Sequence, residues 1–81
     1  MDIVIELHGV LGRLAGAERA VVQLPAQATV ADAIAALEVQ VPDMAERLEM
    51  TACAVGDALV ARSTPLIGDE ILVLIPPVSG G

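Results

Sequence analysis

The fold is decided by one stretch, TVADAIAALEVQVP (residues 29–42), which carries the strongest helical pattern in the chain. Thr29 can accept hydrogen bonds from the first free backbone N–H groups, and Asp32 occupies the acid position of a capping box. Pro42 ends the pattern. Apolar residues recur through the stretch at helical spacing and form one stripe: Val30, Ile34, Leu37 and Val41. The sequence therefore predicts one main helix whose apolar face must lie on a sheet.

Two strands are predicted before this helix. Residues 2–7 alternate with period two, and residues 20–24 form a second strand closed by Pro25. Glycines punctuate the connection, where we expect a short helix over residues 10–15. The two strands should pair antiparallel. Three apolar residues share one face of the first strand: Ile3, Ile5 and Leu7.

After the main helix the chain returns to strands. Residues 43–48 are expected to form one more helical turn with Asp43 as its cap, followed by strands over residues 50–55, 59–61 and 70–75. The order of two strands, a helix, short strands and a long final strand predicts an α+β domain. We expect a mixed sheet of four to five strands with the main helix packed on one face.

The final strand is apolar at every position from 71 to 75, which predicts burial on both of its faces. One helix covers only one face of the sheet. We expect Ile71, Val73 and Ile75 to face the helix, and Leu72 and Leu74 to lie on the uncovered side as a surface for a protein partner. The alternative is that loop residues near Leu66 fold over this side.

The chain divides into a domain, residues 1–75, and a flexible tail, residues 76–81, with the sequence PPVSGG. The prolines project the tail outward, and six residues in this extended form reach on the order of 20 Å. Gly80 and Gly81 lack side chains and can enter a narrow channel. Such a tail presents its terminal carboxylate. Activation as a mixed anhydride, then attack by a sulfur nucleophile, would convert this carboxylate to a thiocarboxylate.

Nothing in the chain could perform that activation, because it has neither a phosphate-binding loop of the GxxxxGK[ST] form nor a metal-binding cluster. Another protein must supply the enzyme. The net charge of −7, from eleven acids and four arginines with no lysine, argues against nucleic acid and anionic membranes as partners. One cysteine and no secretory signal predict a cytoplasmic protein. Without lysine, the protein cannot be linked to copies of itself through a lysine side chain.

The C-terminal residues resemble those of a known family. The run GDEI (residues 68–71), four further apolar residues and PPVSGG (residues 76–81) closely resemble the end of the small subunit of molybdopterin synthase, a MoaD-like protein. Phenylalanines that are common in that family are replaced here by Leu74-Ile75 and Val4-Ile5. Comparable residues also fall elsewhere in the chain: Leu14, Gly16, Thr29, Val30, Leu37, Pro65 and Leu66.

The resemblance implies a β-grasp (ubiquitin-like) fold and a sulfur-carrier function. It implies that an ATP-dependent, E1-like enzyme adenylates Gly81, that a sulfur donor converts it to a thiocarboxylate, and that the large synthase subunit receives the tail. The sulfur would pass to the pterin precursor of molybdenum cofactor, and the chain would bind no cofactor of its own. The resemblance assigns tail placement to Gly80. It assigns spacing or contact to four residues: Pro76, Pro77, Val78 and Ser79.

Three alternatives remain open from the sequence. The first is a sulfur carrier for another pathway, such as thiamine thiazole or cysteine synthesis. The second is a ubiquitin-like modifier whose Gly81 is joined to lysines of other proteins. The third is an interaction domain with a frayed tail and no chemistry.

Four residues could suggest other chemistry but have simpler interpretations. His8 has no second histidine or cysteine nearby, so a structural or exposed role is expected rather than a metal site. Cys53 lies within a predicted strand between alanines and is expected to be a small core residue. Asp69 and Glu70 point to opposite sides of an extended chain and are expected to be a turn acid and a solvated charge.

Overall fold

The structure is a computed structural model and describes residues 1–77. The strands are β1 (Asp2–Leu7), β2 (Arg19–Gln23), β3 (Ala52–Val55), β4 (Ala58–Val60) and β5 (Ile71–Ile75). The helices are α1 (Val10–Ala15), α2 (Val30–Gln40) and α3 (Ala45–Leu48), with a 3₁₀ turn over Pro42–Met44 before α3. Every predicted element is present, with ends that differ from the prediction by no more than two residues.

The strands form one mixed five-stranded sheet in the order β2-β1-β5-β3-β4. β5 lies in the centre, parallel to β1 and antiparallel to β3, while β1–β2 and β3–β4 pair antiparallel. The parallel pair is possible because the long crossover between the two strands includes α2. The first and last strands therefore lie side by side in the sheet. This arrangement confirms the β-grasp fold.

Helix α2 begins as the sequence predicts. The backbone N–H of Thr29 donates to Asp32 Oδ2 at 2.8 Å, and the N–H of Asp32 donates to Thr29 Oγ1 at 3.3 Å. This reciprocal capping box satisfies two of the unpaired donors at the helix start. The predicted stripe packs on the sheet, with Val30, Ile34 and Leu37 buried and Val41 half-buried. The core lies in this one layer between α2 and the sheet.

Side chains from the connections close the rest of the core. Ile3, Ile5 and Leu7 of β1 are buried on the face towards α2, as predicted. The remaining large buried side chains outside β5 and α2 are Leu11, Val22, Leu24, Met44, Leu48 and Leu66. All are aliphatic or thioether groups, because the chain has no aromatic residue.

The predicted orientation of β5 is wrong. Leu72 and Leu74 have no exposed surface and belong to the core beneath α2, whereas Ile71 and Ile75 are 37% and 42% exposed on the other face. Register explains the reversal: Leu72 lies beside Ile5 and Leu74 beside Leu7, and these β1 residues face the core. Leu72 and Leu74 therefore cannot be the partner surface. Leu66 is buried in the core too, so it does not cover the open side.

Two smaller predictions also need correction. Asp43 caps nothing, since it lies inside the 3₁₀ turn and makes no side-chain capping bond. Glu70 is not simply solvated, because its carboxylate accepts hydrogen bonds from the backbone N–H groups of Ile67 and Gly68. It therefore shapes the turn that leads into β5.

None of the helices within residues 1–77 has the length and apolar character needed to cross a bilayer.

Candidate functional site: the tail root and the open sheet face

The predicted site residues fall at the limit of the described chain. Pro76 is half-buried and Pro77 is exposed, directly after the last residue of β5. Val78, Ser79, Gly80 and Gly81 lie outside the described residues, so their assigned roles stay predictions. We call Pro76 and Pro77 the tail root. Its position follows from β5 being the central strand: the tail leaves the middle of one end of the sheet.

Gly9 lies beside the tail root, in the turn after β1. Its φ of 56° and ψ of −128° place it in a region that side chains other than glycine rarely adopt. A Cβ added there would lie 3.6 Å from Pro76 Cγ, an ordinary contact, so backbone strain rather than lack of space requires the glycine. The turn at Gly9 thus places the backbone next to Pro76, and α1 begins directly after this turn. The glycine itself is visible in the sequence, but its contact with the tail root is not.

The tail root borders two clefts. One, of about 520 Å³, is lined by His8, Arg13, Arg47, Ile75 and both prolines, among others. The second shares Val10, Arg47 and the prolines with the first and is completed by Glu46 and Met50. Met50 is 73% exposed. The surroundings of the tail root therefore combine exposed apolar groups with two arginines, whose positions in the sequence give no sign that they lie near the tail.

One row of apolar residues crosses all five strands on the uncovered face of the sheet. Residues in register on neighbouring strands point to the same side: Val4 pairs with Val21 and with Ile71, and Val73 pairs with Ala54, which pairs with Leu59. Val21 is 52% and Leu59 75% exposed. We call this surface the open face; its larger side chains are Val21, Val4, Ile71, Val73, Ile75 and Leu59.

Polar residues border the open face towards β2. Glu6 lies opposite Arg19 and beside Val73, and its carboxylate is 3.3 Å from His8 Nε2. His8 is itself half-exposed. An apolar centre with a polar border is the usual anatomy of a protein interface. The expectation of an apolar surface on the second face of β5 is thus met by different side chains from the predicted ones.

Arg62 holds the start of β3 in place next to the tail root. Its guanidinium donates to the carbonyl oxygens of Leu48 at 2.6 Å and Thr51 at 3.0 Å. The first carbonyl belongs to the end of α3 and the second precedes β3, whose Ala52 pairs with Ile75. Arginine supplies several donors in a rigid fork, which suits this bridge. Sequence spacing offers no signal for such a contact, because the partners are 14 and 11 residues away.

Cys53 is buried in the core, as predicted. Burial raises the pKa of its thiol above the ordinary 9.0, and the positive charge of Arg62 opposes this rise without cancelling it. The native thiol is therefore protonated near neutral pH and shielded from reagents. Across residues 1–77 there is no group of three or more His, Cys, Asp or Glu side chains that could hold a metal ion.

Structural comparison finds close matches over the whole chain. The small archaeal modifier protein SAMP1 of Haloferax volcanii superposes with a TM-score of 0.90 at 26% identity, covering 100% of both chains. A Pyrococcus furiosus protein described as molybdopterin converting factor subunit 1 superposes with a TM-score of 0.86 at 20% identity, covering 96% of this chain and 99% of its own. At that identity the likeness concerns the fold alone.

A third match is a complex. The Helicobacter pylori structure of subunits 1 and 2 of molybdopterin-converting factor superposes with a TM-score of 0.67 at 23% identity, with 100% of both chains covered. Among curated proteins, none matches the chain. The family comparison is more specific, because residues 5–81 match the ThiS family and this range includes nearly the whole domain and the tail. The chain therefore belongs to the ThiS family of ubiquitin-like sulfur carriers.

Proposed function

We propose that the protein is the small, non-catalytic subunit of a molybdopterin synthase, with Gly81 carrying sulfur as a C-terminal thiocarboxylate. An E1-like enzyme would adenylate the Gly81 carboxylate with ATP. The catalytic site for sulfur transfer to the pterin precursor would lie in a large subunit that receives the tail. Gly80 would place the terminus in that site, and residues 76–79 would set its reach.

The observation that carries this proposal is the family match through residue 81, which includes the Gly80-Gly81 ending. The position of the tail root supports it further. Ile75 belongs to the open face and also lines the cleft beside Pro76 and Pro77. A protein that docks on the open face would therefore meet the tail at the edge of the same contact. Exposed apolar surface of this kind favours a protein partner.

The chemistry needs two steps on the terminal carboxyl carbon. In the first, a carboxylate oxygen attacks the α-phosphorus of ATP and pyrophosphate leaves, which gives an acyl adenylate. In the second, a sulfur nucleophile attacks the acyl carbon and AMP leaves with its bonding electron pair. With sulfide as the nucleophile the product is the thiocarboxylate and no oxidant or reductant is consumed. The chain would contribute the carboxyl group and its placement, and the partners would contribute the catalytic groups.

The molybdopterin assignment within the family rests on the PPVSGG ending and on the H. pylori match, whose description names a complex of the two converting-factor subunits. Thiamine thiazole and cysteine synthesis remain the alternative pathways for the same carried sulfur. The acceptor can be tested directly: the thiocarboxylated protein and a large subunit from the same genome should convert the pterin precursor to molybdopterin. Failure with that subunit, together with transfer to a thiazole or cysteine precursor, would reassign the pathway.

Carrier function itself is tested by intact mass. Incubation with ATP, sulfide and an E1-like enzyme from the same genome should raise the mass by about 16 Da, because sulfur replaces one carboxylate oxygen. One alanine added after Gly81 should abolish the gain, and one alanine added before Met1 is the matched control. A gain of the same size in the variant extended after Gly81 would locate the chemistry elsewhere.

The second candidate is a protein modifier, which is favoured by the match to SAMP1. In that case Gly81 would form amide bonds with lysines of other proteins. Chains built through lysine of the modifier itself are excluded, because the sequence contains none. The two functions separate in the same reaction once acceptor proteins are added. Covalent adducts on those proteins, without the 16 Da product, would favour the modifier.

A further inference from the structure

Two arginines from different helices line the cleft beside the tail root. Arg13 lies in the last turn of α1 and Arg47 in the last turn of α3, and both side chains are exposed. They border the cleft together with Ile75, Pro76 and Pro77. The chain has only four cationic side chains against eleven acidic ones. Half of them thus lie where the tail leaves the domain.

Neither of these arginines has an internal acidic partner within residues 1–77. No carboxylate oxygen of residues 1–77 lies within 4.0 Å of either guanidinium, although Glu46 lines the adjoining cleft. Neither side chain donates a hydrogen bond to the described part of the chain, in contrast to Arg62, which binds backbone carbonyls. The two guanidinium groups are therefore available to an external acceptor.

The arginine pair is continuous with the open face, because Ile75 contributes to both surfaces. A protein that covers the open face and takes in the tail must place part of its own surface against this cleft. Arginine is enriched in protein interfaces, where its planar fork pairs with carboxylates through two parallel hydrogen bonds. The cleft is thus suited to an acidic partner surface.

Tail length distinguishes carboxylates from nucleotide phosphates as the acceptor. Four residues follow Pro77, and drawn out they span up to about 14 Å at 3.3–3.6 Å per residue. An arginine pairs with an anion within about 4 Å, so at that reach the two guanidinium groups would not contact a nucleotide at an inserted terminus. They would instead meet the mouth of the channel that the tail enters.

We propose that Arg13 and Arg47 bind carboxylate side chains at the mouth of the tail channel of the adenylating enzyme. The inference rests on the proposed function, since it needs an enzyme that accepts the tail. It explains how a chain with net charge −7 can approach an acidic surface. Both arginines line the cleft at the tail root, and among the described residues Glu46 is the one acidic side chain that lines either of the two clefts there.

The test compares two double variants that each make the net charge more negative by two units. Arg13→Gln with Arg47→Gln removes the pair. Ala35→Glu with Val39→Glu is the control, because both residues are exposed on α2, on the side of the sheet opposite the open face. All four positions are exposed, so both variants should keep the thermal unfolding midpoint of the wild type within a few degrees. Binding to the E1-like enzyme is measured by calorimetry at 50 mM and 500 mM salt.

We expect the arginine variant to bind at least tenfold more weakly at 50 mM salt, with a smaller difference at 500 mM, and the control to bind within twofold of wild type. Equal weakening in both variants would show that net charge alone causes the effect, and would overturn the proposal. Unchanged binding of the arginine variant, while the wild type still gains about 16 Da with ATP and sulfide, would overturn the arginine contact alone. A wild type that neither binds nor gains this mass would refute the proposed function and the arginine contact with it.

Discussion

The orientation of β5 can be tested by shortening two adjacent side chains that lose the same three carbons. Leu74 is fully buried, so Leu74→Ala should cost about 2.7–5 kcal/mol, from lost transfer free energy and from the cavity left behind. Ile75 is 42% exposed. Its three carbons are worth about 2.4 kcal/mol when fully buried, so Ile75→Ala should cost roughly 1.4 kcal/mol, with no enclosed cavity. The first loss is large for a domain of this size, whose total stability is about 4–12 kcal/mol.

Urea denaturation followed by circular dichroism measures both free energies of unfolding. The thermal midpoint should fall by about 10–40 °C for Leu74→Ala and by about 6–11 °C for Ile75→Ala. If Leu74→Ala does not fold, Leu74→Val and Ile75→Val provide the same comparison with one carbon removed. An equal or greater loss for the Ile75 variant would refute the assigned facing of the strand, and with it the open face.

Three further outcomes follow from local contacts. Thr29→Ala should lower the free energy of unfolding by about 1 kcal/mol, because the N-cap is lost; an unchanged urea midpoint would contradict the capping box. Arg62→Met should cost about 2–3 kcal/mol by leaving the carbonyls of Leu48 and Thr51 without their charged donor, with part of the loss recovered in Arg62→Lys; equal stability of the two variants would refute this role. Burial raises the pKa of the Cys53 thiol above 9.0, so the unfolded thiol ionises first, and the contribution of this thiol to stability should be constant below about pH 8 and fall as pH rises from 9.0 towards the folded pKa. Cys53→Ala should lack this fall; the chain has neither tyrosine nor lysine, and the Met1 amino group is common to both proteins, so the difference between them isolates the thiol; an identical fall in Cys53→Ala would assign it to another group.

The elements of the fold could be predicted from the sequence because each depends on neighbours only a few residues apart. The capping box joins Thr29 to Asp32, three positions away, and the alternation of β1 is visible within six residues. The prediction for Asp43 shows the limit of such local evidence. An acid near a helix start suggested a cap, but Pro42 begins a 3₁₀ turn in which that side chain makes no capping bond. Glu70 likewise shows its role only once the turn before it is folded.

The candidate site divides in the same way. The Gly-Gly ending and its proline spacer are visible in the sequence, and the chemical proposal at Gly81 comes from them and from the family. The surroundings of the tail root were not predicted. Gly9, Arg13 and Arg47 come from three separate segments and meet Pro76 only because β5 lies beside β1, with α1 and α3 at the same end. The positions of these three residues in the sequence do not indicate this contact.

By itself, then, the sequence determined the main helix, the succession of helices and strands along the chain, the aliphatic character of the core and the identity of the terminal residues. These follow from local pattern and composition. Only the tertiary structure decided which side of β5 is buried. Five consecutive apolar residues have no alternation to mark a face, so the choice is made by register. Pairing with β1 aligns Leu72 and Leu74 with the core-facing Ile5 and Leu7, and leaves Ile71 and Ile75 on the open face.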